Sequence, residues 1–306
     1  MDNRRVLITG GAGFIGSNLA AHLEPANEVF VVDDGSLGTA ENVGESVTVC
    51  DRSILEDGLP TDVDVVFHLA ADSSYALCEA DPKRSVRVNV EGFVNVVEQA
   101  RKAGCDTVVY ASTSSVYDPQ RTPTSETMPV SVRSAYEASK AACEQYATYF
   151  STHHGMSMAG MRLFSVYQGY GGTETHKGPF ANVIAQFADD LAHGRSPTLY
   201  GDGTQTRDFI HVDDVVRGLE RAATAELDGI YNLGTGEHHT FNTVVDRLNE
   251  ALGTSIKPTY VDNPLPESVY VSHTCADTAK MQTATSWHPT VGFQDGINRV
   301  CEYYNT

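Results

Sequence analysis

Long apolar runs are missing from this 306-residue chain. None approaches the ~18 consecutive apolar residues that a membrane-spanning helix needs, so no span is expected. Paired cysteines are missing too. Cys50, Cys78, Cys105, Cys143, Cys275 and Cys301 are scattered without any C-x-x-C pair. That pattern argues against a zinc site and for reduced thiols in a cytoplasmic protein. The adjacent histidines His153/His154 and His238/His239 lack i,i+4 spacing and an acidic partner motif, so solvated loop histidines are expected and no metal. Arg4-Arg5 resembles the basic opening of an export signal. The apolar stretch behind it breaks at Thr9-Gly10-Gly11 and no small-residue cleavage site follows, so no export is expected. Basic residues are scarce, with 21 Lys+Arg against 40 Asp+Glu and a formal charge of −19. Such a surface repels phosphate backbones and anionic lipid, which makes nucleic acid and membrane poor partners. Only six of the basic residues are lysine. Lysine-poor acidity suits a high-salt cytoplasm, where ions screen self-repulsion, and a merely acidic mesophilic protein is the equal alternative. There is no internal repeat and no low-complexity tract.

What is present is an ordinary globular composition, 41% hydrophobic and 20% charged, in a chain long enough for one large unit or two lobes. Short β-branched runs at 6–9, 29–32, 47–49, 65–68 and 107–111, and one including 158–163, read as strands. Amphipathic patterns at 15–23, 85–102 and 136–153 read as helices between them. This alternation predicts an α/β fold, a doubly wound parallel sheet with helices on both faces. The strands are apolar without alternation, as expected when both faces are covered. Residues 168–178, rich in glycine and threonine, read as a loop leaving this unit. Helices are expected over 180–193, 213–225 and 243–252 in a smaller C-terminal lobe. The expected division is 1–165 for a nucleotide-binding domain and 166–306 mainly for a substrate lobe, with some segments returning to the first.

Directly after the first strand comes Gly10-Gly11-Ala12-Gly13-Phe14-Ile15-Gly16, which opens a helix. Glycines here let the chain turn tightly, let backbone approach a pyrophosphate and let helix pack on strand. The helix N-terminus adds unpaired N–H groups and positive dipole charge. Asp33 ends the second strand, 20 residues after Gly13. A carboxylate there accepts bonds from the adenosine ribose hydroxyls and repels a 2′-phosphate, which favours NAD over NADP.

Tyr136 and Lys140 stand four residues apart in a predicted helix and so share a face. A phenol near pKa 10 is a poor base at neutral pH. An ammonium nearby, together with a positive nicotinamide ring, favours phenolate and moves it toward a useful range. Upstream, Tyr110-Ala111-Ser112-Thr113-Ser114-Ser115-Val116-Tyr117 ends a strand with four hydroxyl residues in a row. The carboxyl ends of strands in an open parallel sheet face the ligand.

With these residues in hand, the chain resembles the extended short-chain dehydrogenase/reductase family, in its nucleotide-sugar epimerase/dehydratase branch. The resemblance runs nearly end to end through Thr9–Gly16, Phe67-His68-Leu69-Ala70-Ala71, Tyr136–Lys140, Arg207-Asp208-Phe209-Ile210-His211-Val212-Asp213-Asp214 and Tyr231-Asn232-Leu233-Gly234-Thr235-Gly236. It implies a Rossmann domain holding NAD. By resemblance, Gly10, Gly13, Phe14, Ile15 and Gly16 meet the pyrophosphate, and Asp33, Asp34, Gly35, Ser36 and Gly38 hold the adenosine ribose. Asp51 and Arg52 flank the adenine. Leu69, Ala70, Ala71 and Phe164 line the cofactor, with Asn89 beneath it. Thr113 falls where the family places the hydroxyl that binds the sugar's reacting oxygen. Tyr136 is the base and Lys140 its partner on the nicotinamide ribose. Phe180, Tyr200 and Arg207 match positions that grip the nucleotide diphosphate, Arg207 by charge-assisted bonds. The resemblance also implies a homodimer paired through the helices at 85–102 and 136–153.

Dehydratases of this family carry an acid pair just after the threonine; here those positions are Ser114 and Ser115, which cannot protonate a leaving group near neutrality. Decarboxylating members usually have glutamate where Ser115 stands. An epimerase needs neither acid, so the resemblance implies a UDP-sugar 4-epimerase with UDP-glucose/UDP-galactose as the default pair. There are three departures from the pattern. The family's asparagine after Arg-x-Phe is Ser165, which weakens one substrate contact. Pro264-Leu265-Pro266-Glu267-Ser268-Val269-Tyr270 replaces Arg-Pro-Gly-Asp, so a second arginine on the diphosphate is missing and Tyr270 occupies the region. Thr274 stands where a bulky residue excludes N-acetyl groups, so N-acetylated sugars are expected to fit. The alternatives are another enzyme of the family (reductase, decarboxylase or non-UDP epimerase) and, from a different class, a regulator that senses NAD without turnover.

Overall fold

A computed structural model describes residues 1–118, 122–266 and 269–305; Glu267 and Ser268 of the departing C-terminal segment lie outside the described residues. The main sheet has seven strands: β1 (Arg5–Thr9), β2 (Glu28–Asp33), β3 (Thr48–Asp51), β4 (Val65–His68), β5 (Thr107–Thr113), β6 (Ser157–Leu163) and β7 (Gly229–Leu233). Their order is β7-β6-β5-β4-β1-β2-β3, with every neighbouring pair parallel. Alternate residues of each strand point to opposite faces, which explains the unbroken apolar runs. Val6, Ile8, Val65 and Phe67 pack with Leu19, Leu23, Val215 and Leu219 of the helices Phe14–Leu23 and Val212–Thr224. Leu7 and Val66 pack with Phe93, Val97, Ala147 and Phe150 of the helices Gly92–Ala103 and Ala135–His154. Each such side chain stabilises the fold by about 1.5–3 kcal/mol when fully buried.

The chain runs from β1 to β2 and β3 on one side, then returns to β4 on the other side of β1. At this switch point the connections diverge and leave a crevice at the carboxyl ends of β1 and β4. A separate apolar cluster, including Ile184, Leu191, Phe209, Phe241, Leu248 and Ile297, forms the smaller lobe. It is built by the helices Val183–Ala192, Phe241–Leu252 and Phe293–Glu302.

Local differences from the sequence expectation have identifiable causes. The helix expected over 180–193 starts at Val183, because Gly178 takes φ 50°, Pro179 follows, and the Asn182 side chain caps Ile184 N. The helix expected over 85–102 is interrupted: Val86–Glu91 forms a wide π turn between Pro82–Ser85 and Gly92–Ala103. Asn89 sits in that turn, a placement that 3.6-residue periodicity does not reveal. The edge strand β7 was not expected as a strand, and it brings residues beyond 166 back into the sheet. Among the described residues, no helix is long and apolar enough to cross a membrane.

Candidate active site

A cleft of ≈ 780 Å³ opens at the switch point. Of the residues expected around the dinucleotide, Gly10, Gly13, Phe14, Ile15, Gly16, Asp33, Asp34, Ser36, Gly38, Arg52, Leu69, Ala70, Ala71, Tyr136, Lys140 and Phe164 line it. Gly35, Asp51 and Asn89 do not. Gly35 N donates to Asp33 Oδ1 at 2.9 Å, and Asp51 ends β3 in register with Asp33. Asn89 is buried behind the cleft, where its Oδ1 accepts from Asp72 N at 2.7 Å and its Nδ2 donates to Ser139 Oγ at 2.9 Å. It shapes the wall from behind.

The glycine turn is held tightly. Gly10 has φ 69°, and a Cβ there would stand 2.6 Å from Ala70 N; at Gly16 it would stand 2.2 Å from Gly10 O. Only glycine lets the turn close against both β4's exit and its own helix. Ala12 N donates to Asp33 Oδ2 at 3.0 Å, so the same carboxylate orders the turn and faces the cleft. The helix Phe14–Leu23 has no side-chain cap at Gly13, so its first N–H groups are left for an anion. These features fit a dinucleotide. Gly16→Ala is expected to destabilise the protein by about 1–3 kcal/mol, read from the midpoint of denaturant unfolding.

The reactive groups come from two elements. Thr113 ends β5, and Tyr136 and Lys140 lie in the first two turns of the helix Ala135–His154. Ser134 caps that helix by accepting from Glu137 N at 3.2 Å. Tyr136 and Thr113 line the same cleft. Burial pushes the phenol up to about 12, and the Thr113 hydroxyl works against that. Lys140 is buried and donates to Ala111 O at 2.9 Å, and burial lowers its pKa. The protein alone therefore disfavours the phenolate form of Tyr136. The positive charge of a nicotinamide held in the cleft would supply a pull toward phenolate.

A smaller cavity of ≈ 230 Å³ adjoins the cleft and shares Tyr75, Ser114, Ser115, Tyr136 and Ser165 with it. Arg207, Tyr270 and Thr274 line this second cavity, while Phe180 lines the first. Tyr200 lines neither and is exposed. The Arg207 guanidinium lies 5.5 Å from the ring centres of both Phe241 and Tyr270 and donates to Thr206 O at 2.8 Å. Burial lowers its pKa, and Tyr270 acts the other way. Among the described residues, no carboxylate forms a salt bridge with it. It is a desolvated cation turned to a cavity, suited to a phosphate. The adjacent Asp208 is fully buried and accepts from Thr235 N, Gly236 N and Ala276 N at 2.8, 3.0 and 2.9 Å. It knits the segments around 208 and 234–236, two stretches singled out in the sequence without a reason for their pairing.

Several cleft residues escaped sequence reasoning. Asp72, Tyr75, His176 and Lys177 all line it. Asp72 is held by Arg84 at 3.1 Å, and neither carries a motif. Among the described residues, no group of three His, Cys, Asp or Glu side chains is placed to hold a metal ion.

Doubly wound topology, a glycine turn at the switch point and a Tyr-x-x-x-Lys pair on the adjoining helix together point to an NAD-dependent enzyme. More narrowly, the chain belongs to the NAD dependent epimerase/dehydratase family, which it matches over residues 6–234. It is 32% identical to a putative UDP-glucose 4-epimerase of Methanocaldococcus jannaschii over 97% of each chain. UDP-glucuronic acid decarboxylase 6 of Arabidopsis thaliana is 29% identical, over 96% of this chain and 87% of that one. Among solved structures, a UDP-N-acetylglucosamine 4-epimerase from Methanobrevibacter ruminantium in complex with UDP-N-acetylmuramic acid superposes with TM-score 0.92, at 28% identity over 100% and 99% of the chains. The UDP-glucose 4-epimerase of Thermus thermophilus in complex with NAD gives 0.85, at 32% identity over 98% and 99%.

Proposed function

We propose that this chain is a UDP-sugar 4-epimerase acting on UDP-glucose and UDP-galactose, with N-acetylated sugars also accepted. The observation that carries the reading is that Thr113 and Tyr136 line one cleft, with Tyr136 and the serines at 114 and 115 shared with the smaller cavity. Tyr136 as phenolate takes the proton of the sugar's C4 hydroxyl, and the Thr113 hydroxyl holds the same oxygen. NAD held by the glycine turn and Asp33 would supply the hydride acceptor and donor for the sugar's C4. Tyr136 then gives the proton back to the inverted oxygen. Arg207 holds the diphosphate while the sugar turns, which keeps the intermediate from leaving. Ser114 and Ser115 offer hydroxyls but no acid, so neither water loss nor decarboxylation is assisted.

Thr274 lines the smaller cavity, and its hydroxyl accepts from Asp208 N at 3.1 Å, leaving a compact side chain beside the sugar. This supports N-acetyl tolerance. A homodimer is supported by apolar side chains left exposed on the two long helical segments, Val86, Tyr146 and Tyr149. The similarity to UDP-glucuronic acid decarboxylases favours decarboxylation as a second reading, and Ser115 counts against it.

Purified protein is to be incubated with UDP-glucose, UDP-N-acetylglucosamine or UDP-glucuronic acid without added NAD, and the sugars separated. UDP-galactose forming without external cofactor is the expected result. Conversion of UDP-glucuronic acid to a UDP-pentose with loss of CO2, and no epimer of UDP-glucose, would replace this reading by the second.

A further inference from the structure

The loop over residues 168–180 belongs to the smaller lobe but is fastened to the glycine turn. Its centre is the fully buried Glu174, whose carboxylate accepts from Gln168 N and Gly169 N, each at 2.9 Å, and from Asn182 N. Asn18 of the first helix donates to Thr173 Oγ1 at 2.6 Å, and Thr173 Oγ1 donates to Phe14 O at 3.3 Å. Asn42 Nδ2 bridges Ala12 O at 3.2 Å and His176 Nδ1 at 3.0 Å. The next residue, Lys177, is therefore delivered to the wall of the dinucleotide cleft. Its Nζ stands 5.4 Å from the centre of the Phe14 ring, on the first residue of the uncapped helix.

The charges around it are informative. Asp33, Asp34 and Asp72 line the cleft, so an anion entering it meets repulsion. The glycine turn offers dipoles and N–H groups but no formal charge. Of the cations lining the cleft, Arg52 is hydrogen-bonded to Asp57 O and Gly58 O, and Lys140 to Ala111 O. Lys177 is half-buried and, among the described residues, has neither a salt bridge nor a hydrogen-bonding carbonyl. Burial lowers its pKa, and Glu174 offsets this only in part. A desolvated ammonium that no carboxylate pairs with is costly unless an anion joins it.

We propose that Lys177, carried by the substrate lobe, is the counter-charge to the pyrophosphate of the dinucleotide seated on the glycine turn, so that both lobes hold the cofactor and it stays bound between turnovers. The proposal rests on the reading of this cleft as the NAD site. It does not depend on which sugar is turned over. Lysine as a point charge suits this task, because the fixed N–H groups of the turn already supply direction.

The test compares wild type, K177Q and K177R. NAD released from each purified protein is quantified, and NAD is titrated calorimetrically into protein stripped of cofactor, at several KCl concentrations. K177Q is expected to retain less NAD and to bind it roughly 10- to 100-fold more weakly, the effect of losing a charge-assisted bond. Its affinity should also depend less on salt than wild type. K177R should stay within a few-fold of wild type. The KM for UDP-glucose at saturating NAD should be unchanged in both. Stripped K177Q should melt with stripped wild type, so that fold loss is not the cause. Unchanged NAD affinity in K177Q overturns the proposal. So does a raised KM for UDP-glucose with NAD retention intact, which would put the lysine on the substrate's diphosphate. An equal loss in K177R and K177Q would refute the role of charge. Wild type that binds NAD but epimerises no UDP-sugar would defeat the proposed substrate and leave this binding test readable.

Discussion

Tyr136→Phe is expected to lower kcat by about 10²- to 10⁴-fold while NAD retention and thermal stability stay close to wild type. In the proposed mechanism the phenol oxygen is the proton acceptor, and phenylalanine removes that atom while keeping the ring. Thr113 survives the substitution and would still hold the sugar oxygen under that proposal, but a threonine hydroxyl is no base at neutral pH. The pH dependence gives a second signature. Burial raises Tyr136 to about 12 in the protein itself, so little phenolate is present at neutral pH. A bound nicotinamide cation lowers that value, and the wild-type rate should rise with pH on its acid side as phenolate accumulates. The Phe variant should lose this limb. Turnover of UDP-glucose measured from acid to alkaline pH, with NAD content assayed in parallel, checks both statements. Full rate in the variant would overturn the mechanism and leave a nucleotide-holding scaffold.

Glu144→Gln is expected to destabilise the protein by about 3–5 kcal/mol, the effect of breaking a buried ion pair from one side. Glu144 and Arg162 are both buried, and the guanidinium meets the carboxylate twice, Nε at 2.9 Å and Nη2 at 2.7 Å. The same carboxylate accepts from Ser112 Oγ at 2.6 Å, and Arg162 lies 4.7 Å from the centre of the Tyr117 ring. Ser112 and Arg162 are register partners across β5 and β6. The pair therefore ties the catalytic helix to the strand end carrying Thr113. Glutamine keeps the shape and one acceptor but leaves a cation buried beside Tyr117 without its counter-charge. Replacing both partners together, Glu144→Leu with Arg162→Met, should recover much of the loss, because the desolvated charges disappear at once. Denaturant unfolding of the single and double variants gives the comparison. A single variant as stable as wild type would show that solvent reaches the pair.

Much of the site was legible because its chemistry is local. Tyr136 and Lys140 are one helical turn apart, and the glycine turn is seven consecutive residues, so spacing alone brings each group together. The strands at 65–68 and 107–111 were visible because burial on both faces demands unbroken apolar runs. Where the chain had to travel far to meet itself, legibility failed. Lys177 and His176 reach the cleft through hydrogen bonds to Asn18 and Asn42, more than 100 positions earlier, and no periodicity encodes that. The strand β7 is similar: its burial comes from β6 beside it, some 70 residues upstream. Tyr200 shows the opposite case, a residue marked by resemblance that lies outside both cavities.

From its residues alone this chain declares a parallel doubly wound sheet, a dinucleotide turn and a tyrosine–lysine pair, because each follows from hydrophobic period, backbone freedom or helical spacing over a few residues. The tertiary structure alone decided which charges face one another: Arg207 against two aromatic rings, Glu144 with Arg162, and Lys177 over the first turn of the nucleotide helix. Electrostatic energy depends on distance and desolvation, and both are set only when segments far apart in the chain close over the same cavity.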